Sequence, residues 1–283
     1  MDILVTGAGS KAGAEIVRSL AATGARVRVT SHLQPQGRES VVEVAADYLR
    51  PETLDAAFAG IDAAVLITPE DPGMVTMTAN LVAAAEDAAV RRLVLLSFIL
   101  TDGMVGGPLL AWHRGAEDVV RRSRIPSTCL RPNYYMQNFL SAYTPAASLE
   151  GGRVSYVDAR DVAEVAVKVL LEGGHDGMAY SLTGPRALAM AEVMDLLGSG
   201  HETPVYAKSW EDTCERARRS SLPPLTEALC EFWQAAGEDQ FAATTPTVAE
   251  LTGHPPTDFV QFVREHRGQL WGLRGRARDG SAA

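Results

Sequence analysis

The stretch Val5-Thr6-Gly7-Ala8-Gly9-Ser10-Lys11-Ala12-Gly13 decides how this chain folds. It follows the β-branched run Ile3–Thr6 and opens an amphipathic helical pattern over Ala12–Thr23, with a further strand pattern at Arg26–Thr30. Glycine belongs in such a turn because the backbone doubles back tightly and must come close to whatever it binds. The helix that follows offers free N–H groups and the positive end of its dipole, a combination suited to a pyrophosphate. Strand, glycine turn, helix and second strand together make the pattern specific, where the glycines alone would be weak. Two registers fit. Gly7-x-Gly9-x-x-Ala12 matches GxGxxG/A, and Gly7-x-x-Ser10-x-x-Gly13 matches GxxGxxG with Ser10 in the middle position. In either register Ser10 and Lys11 add donors of their own beside the glycines.

Working outward, strand patterns recur at Ile61–Thr68, Arg92–Ser97 and Ser127–Arg131, with a weaker one at Val41–Ala45. Several are near-continuous Val, Leu and Ile, as parallel strands covered on both faces are. Helical patterns lie between them at Pro51–Ala59, Met74–Ala89 and His113–Arg124. Gly24 suits a helix C′ position and Pro51 a helix N1 position, and Gly60 ends the second helix. Alternation at this spacing predicts βαβ crossovers, hence an α/β Rossmann-type doubly wound parallel sheet. After Pro132 the rhythm changes: an aromatic and polar segment runs to Leu149, Gly151-Gly152 breaks the chain, Asp161 caps a helix to Glu172, and Ala179–Thr183 is a late strand. The expected division is a dinucleotide-binding domain over 1–186, with 132–152 on its substrate side. A smaller, mostly helical domain over 187–271 and a disordered tail over 272–283 complete it.

Composition narrows the function classes. Hydrophobic residues make up 46% and charged residues 22% of 283, ordinary values for a globular chain. A net charge of −9 argues against nucleic acid or an anionic membrane as the main partner, since both need a basic footprint. The start Met1-Asp2-Ile3-Leu4-Val5 reads as a strand and not as a signal peptide, and no apolar run approaches the roughly 20 residues that span a bilayer. Three cysteines without a CxxC suggest no disulfide framework and a cytoplasmic setting. His175, His201, His254 and His266 are scattered without ligand spacing, so no metal site is expected. Nothing in the sequence fixes whether copies associate.

The end of the second strand sets the cofactor. NAD(H) needs a carboxylate there for the ribose hydroxyls, whereas NADP(H) needs neutral or basic groups for its 2′-phosphate. This chain has Thr30-Ser31-His32 and no acid, which favours NADP(H) over NAD(H).

Further segments carry a family resemblance. They are Thr6-Gly7…Gly13, Asp47 after the third strand, Leu66-Ile67-Thr68-Pro69, Leu95-Leu96-Ser97, His113-x-x-x-Glu117, and above all Leu130-Arg131-Pro132-Asn133-Tyr134-Tyr135-Met136-Gln137-Asn138-Phe139. Val157-Asp158-x-Arg160-Asp161, Thr183-Gly184-Pro185 and Thr252-Gly253-x-Pro255-Pro256 follow. Over residues 1–270 the chain resembles the NmrA-like atypical short-chain dehydrogenases, in the branch with quinone- and dye-reductase members. The resemblance implies that Asp47 sits by the adenine, Thr68 and Pro69 lie along the cofactor, and Ser97, Pro132 and Asn133 lie near the nicotinamide. It implies too that Gly7, Gly9, Ser10, Lys11, Ala12 and Gly13 hold the phosphates. The carboxyl ends of strands are also where open α/β sheets bind ligands.

Short-chain dehydrogenases usually carry a Tyr-x-x-x-Lys pair four residues before a helical glutamate. Counted back from Glu117, the lysine position holds His113 and the tyrosine position Leu109. Without a tyrosine acid, reduction of a simple ketone is disfavoured, whereas a quinone or a cationic dye is electrophilic enough to accept hydride. His113 is the one candidate catalytic residue, since an imidazole exchanges protons near neutral pH. Tyr134, Tyr135 and Gln137, with Asn133, Trp112 and Phe98, are candidates to line an aromatic pocket. The leading expectation is an NADPH-dependent reductase of a small quinone-like or other conjugated aromatic acceptor. Two alternatives stand beside it: a non-catalytic NADP(H)-sensing regulatory protein, and a redox-neutral tailoring enzyme acting on an aromatic natural product.

Overall fold

Near-continuous apolar runs form the centre of the sheet. In the computed structural model, β1 (Asp2–Val5), β4 (Ala63–Leu66) and β5 (Arg92–Leu96) are buried along almost their whole length. The structure describes residues 1–31, 41–100, 107–140, 152–198, 215, 219 and 223–270. With β2 (Arg26–Ser31), β3 (Val42–Ala45), β6 (Ser127–Pro132) and β8 (Ala179–Leu182) they make a seven-stranded sheet in the order β3-β2-β1-β4-β5-β6-β8. Every pairing from β3 through to β6 is parallel, with Leu4 opposite Arg28 on one side and Ala64 on the other. The order reverses between β1 and β4, which is where a doubly wound sheet opens a crevice for ligands.

Helices cover both faces. α1 (Lys11–Ala22) buries Ala12, Gly13, Ile16 and Leu20, one stripe at helical spacing. It packs with α5 (Ala159–Leu171) on one face of the sheet. On the other face α2 (Asp55–Phe58), α3 (Met74–Asp87) and α4 (Pro108–Arg122) close over a core of Leu4, Phe58, Leu66, Leu81, Leu93, Leu95 and Val120. Cys129 lies in that core as a free thiol. Burial, helped by the Glu117 carboxylate, pushes its pKa up to about 12.

Several boundaries differ from expectation. The stretch from Pro51 is a 3₁₀ turn (Pro51–Thr53) and then α2: the Thr53 N–H donates to the Arg50 carbonyl and the Leu54 N–H to the Pro51 carbonyl, both at 2.9 Å. α4 begins at Pro108, five residues before His113, so His113 sits in the body of the helix rather than at its start. Asp161 lies inside the first turn of α5 rather than before it. Cys230 is disulfide-bonded, contrary to the expectation from cysteine spacing.

The chain divides into two compact units. The first comprises Met1–Leu100, Leu110–Pro132 and Ala159–Ser181; the second comprises Thr101–Leu109, Asn133–Asp158 and Leu182–Ala283. The second contains an antiparallel ribbon of β7 (Arg153–Val154) and β9 (Leu188–Ala189), with α6 (Met190–Gly198), α7 (Pro223–Gly237), α8 (Thr247–Thr252) and α9 (Phe259–Glu265). Its core is aromatic: Tyr156 is edge-on to Tyr134, Phe139 and Phe259. Among the described residues no helix is long and apolar enough to cross a membrane.

Candidate functional site

The glycine loop turns as its sequence requires. Gly7 has φ +58°, and a Cβ there would lie 2.8 Å from the Ile67 carbonyl oxygen. At Gly13 a Cβ would meet the Gly7 carbonyl oxygen at 2.3 Å, so the helix can approach the turn only without a side chain. Ser10 is the N-cap of α1: its Oγ accepts from the Gly13 N–H at 3.0 Å. The helix uses that oxygen as an acceptor and leaves its O–H able to donate. The N–H groups of Gly9, Lys11 and Ala12 make no hydrogen bond among the described residues, and Gly9 and Lys11 are exposed. Three unspent donors at the start of a twelve-residue helix form an anion cradle.

Next along the carboxyl edge, Thr6 ties β1 to β4 at the switch point. Its Oγ1 donates to the Ile67 carbonyl at 2.9 Å and accepts from the Ile67 N–H at 2.7 Å. The following residues leave polar atoms unspent. Thr68 Oγ1 after β4, Ser97 Oγ after β5, and both ring nitrogens of His113 on α4 are buried with no hydrogen-bond partner among the described residues. His113 is 3% exposed. Its ring lies 5.8 Å from that of Phe98, and its Nε2 is 3.6 Å from Glu70 Oε1. Buried polar groups are normally paired, so a run of four unpaired atoms along one sheet edge is what a bound polar molecule would satisfy. Donors for a pyrophosphate at one end and free hydroxyls and an imidazole beyond it fit a nicotinamide dinucleotide.

The other expected residues of this unit are distributed as follows. Ser31 ends β2, and His32 lies outside the described residues. Asp47 closes its own turn: its Oδ1 accepts from the Leu49 N–H at 3.0 Å, and its backbone N–H donates to Thr53 Oγ1 at 2.9 Å. Pro69 is exposed, and Pro132 is buried with its carbonyl accepting from the Ile99 N–H at 3.0 Å. Trp112 packs against the core beneath α4. Glu117, only 1% exposed in its side chain, is clamped by Arg131 through Oε1 at 2.8 Å and Oε2 at 2.6 Å. Tyr48, one residue beyond Asp47, belongs to no motif that marks it in the sequence. Its hydroxyl accepts from the Gly7 N–H at 3.1 Å and bonds to Thr30 Oγ1, joining the glycine loop to the end of β2. Glu70 is likewise unmarked, apart from its place two residues beyond the β4 edge residue Thr68.

A family model described as NAD(P)H-binding matches residues 7–173. The chain belongs to this family. It is 32% identical to an NAD(P)H azoreductase of Xenophilus azovorans, across 93% of this chain and 97% of that one. It is 34% identical, over the same shares, to a (4-alkanoyl-5-oxo-2,5-dihydrofuran-3-yl)methyl phosphate reductase of Streptomyces griseus. The solved structure of an NADPH-dependent quinone oxidoreductase from Escherichia coli, complexed with NADPH, superposes with a TM-score of 0.77 at 26% identity, covering 93% of this chain and 99% of that one. These relatives place it in the NmrA-like branch of quinone and dye reductases.

In this NAD(P)H-binding chain the remaining expected residues belong to the second unit. Asn133 is fully buried and its amide is spent inside the fold. Nδ2 donates to Ser155 Oγ at 2.7 Å and to the Phe241 carbonyl at 2.9 Å, while Oδ1 accepts from the Tyr134 N–H at 2.8 Å. Gln137 Nε2 donates to the buried Asp158 carboxylate at 2.8 Å. Tyr135 bridges to Val157 through its backbone, and the half-buried Tyr134 ring stands edge-on to Tyr156 at 5.9 Å. The segment after Arg131-Pro132 is thus held by polar groups at alternate positions, which leaves the two tyrosine rings as its half-buried aromatic surface.

Proposed function

We propose that this chain is an NADPH-dependent reductase of quinone-like or other conjugated aromatic acceptors. The observation that carries the reading is the run of unpartnered buried polar atoms from Thr68 through Ser97 to His113, downstream of an unspent phosphate cradle. A relative that reduces azo compounds and another named as a quinone oxidoreductase support the acceptor class. The dinucleotide, when bound, supplies the hydride; the protein positions it, excludes water and handles the proton.

Within that division the N–H groups of Gly9, Lys11 and Ala12 bind the pyrophosphate, and the Thr68 and Ser97 hydroxyls orient the nicotinamide end. Ser31 and His32 receive the 2′-phosphate, which is the basis for preferring NADPH. His113 is the proton donor. Leu109 stands one turn before it on α4 where a tyrosine acid would be, so the reaction suits acceptors that are already strongly electrophilic.

Parallel calorimetric titrations with NADPH, NADP⁺ and NADH, followed by turnover with a benzoquinone, test this. The expected result is tight NADPH binding, weaker NADH binding and NADPH oxidation dependent on the quinone. Binding with discrimination between NADPH and NADP⁺ but no turnover on any acceptor would favour a redox-sensing regulator. Binding of none of the three would overturn the reading.

A further inference from the structure

We propose that Glu70 is a positioning residue for His113, holding the imidazole so that its Nδ1–H is delivered to the oxygen of a quinone-like acceptor. The proposal deepens the reductase reading above and rests on it. Glu70 Oε1 lies 3.6 Å from His113 Nε2, within ion-pair range and longer than a formed hydrogen bond, as catalytic pairs often are before substrate binds. The Glu70 side chain is 48% exposed and that of His113 only 4%. No other partner of the Glu70 carboxylate is found among the described residues, so it is not fixed there by a structural network.

An imidazole buried without hydrogen bonds costs the fold free energy. The ring is instead packed beside Phe98 with one nitrogen toward a carboxylate and the other unengaged. A carboxylate that accepts from Nε2–H fixes the tautomer and leaves Nδ1 for the reacting group, since the two nitrogens of one ring are set by each other's partners.

The chemistry balances. Reducing a quinone to a hydroquinone takes one hydride and two electrons with it, plus one proton on oxygen. The hydride comes from the reduced nicotinamide and the proton from Nδ1–H of the imidazolium. The ring is left neutral, with Nε2–H toward Glu70, and regains its proton from water after product leaves. A cationic triarylmethane dye takes hydride at its central carbon and becomes neutral, so its reduction requires no proton. The pair of acceptors therefore separates proton delivery from hydride delivery in one protein.

The test compares wild type, Glu70→Ala and Glu70→Asp on a benzoquinone and on a cationic triarylmethane dye, with NADPH saturating. Proton-detected NMR of the His113 ring in the cofactor-free protein runs beside it. The expected result is that the ratio of quinone to dye turnover falls roughly 10²-fold in Glu70→Ala and partly recovers in Glu70→Asp. The ring ¹⁵N shifts should report a tautomer biased to Nε2–H in wild type, and that bias should be lost in Glu70→Ala. An equal fall on both acceptors, no fall on either, or an identical ring resonance in wild type and Glu70→Ala overturns the role of Glu70. A wild type that reduces neither acceptor overturns the reductase reading itself, even if the ring resonance responds to Glu70.

Discussion

Gly13 shows how much a single missing side chain decides. Its absent Cβ would sit 2.3 Å from the Gly7 carbonyl oxygen, 2.9 Å from Ser10 Oγ and 3.0 Å from Ala8 Cα, and two of those three neighbours are backbone that cannot swing aside. Gly13→Ala should therefore push the start of α1 off the turn. The expected cost is about 1–3 kcal/mol of stability, read by urea unfolding, with at least a tenfold loss of NADPH affinity, read by calorimetry. Ser10 separates the two effects, because its oxygen caps the helix by accepting from the Gly13 N–H. Ser10→Ala should cost about 1 kcal/mol, whereas Ser10→Gly should cost only a few tenths and leave NADPH binding intact. If Ser10→Gly abolished NADPH binding while stability held, Ser10 would have to be a phosphate ligand after all. The glycine positions were legible because a turn of this curvature admits few residues. The use of Ser10 was not, since a hydroxyl beside a helix start serves a cap or a ligand equally well on paper. Tyr48 and Glu70 were illegible for another reason: their meaning lies in neighbours 41 and 43 residues away along the chain.

At the scale of elements, the strands were read correctly in kind because their near-unbroken Val, Leu and Ile runs have little choice once covered on both faces. The two-residue strands β7 and β9 were not read, being too short for any periodicity to register. The sequence pattern starts this helix at His113, whereas α4 begins at Pro108, a residue suited to a first helical position. A polar pair adds to the apolar contact of α4 with the sheet. Glu117 on the helix and Arg131 on β6 form a two-pronged pair at 2.8 and 2.6 Å, with the carboxylate almost wholly buried and the guanidinium 22% exposed. Removing one partner strands the other, and Glu117→Ala should cost about 3–5 kcal/mol by denaturant unfolding. Replacing both partners with methionine should recover most of that loss. A double variant as unstable as the single one would mean that the pair itself, rather than the stranded charge, sustains the helix contact. Because His113 lies one turn before Glu117 on the same helix, Glu117→Ala should also lower turnover more than it lowers NADPH affinity.

Across the whole molecule, a parallel sheet keeps stability and binding at opposite edges, and the charges follow that division. The carboxyl edge carries the glycine loop and the unpaired hydroxyls. The amino edge carries an ion-pair clamp: Asp2 pairs with Arg26, Asp62 pairs with Arg91 at 2.6 Å, and the Asp2 N–H donates to Asp62 Oδ2 at 2.8 Å. The Arg26 hydrogen bond holds the Asp2 pKa below its ordinary value, and the Asp2 N–H does the same for Asp62. In the second unit burial works against ionisation of Asp258, but the bonds from Arg186 and the Val260 N–H outweigh it and lower that pKa as well. A carboxylate depressed in the folded state adds stability above its unfolded pKa, and that stability is lost as pH falls through the folded value. Stability should thus be flat with respect to these groups above about pH 5, and should decline below about pH 4, where unfolded carboxylates begin to bind protons first. Asp62→Asn removes one titrating member from the amino edge. It should make the acid limb of the stability profile shallower while leaving NADPH affinity at neutral pH unchanged. An Asp62→Asn protein with weakened NADPH binding would show that the two edges of the sheet are energetically coupled, and the separation of clamp from cradle would fail.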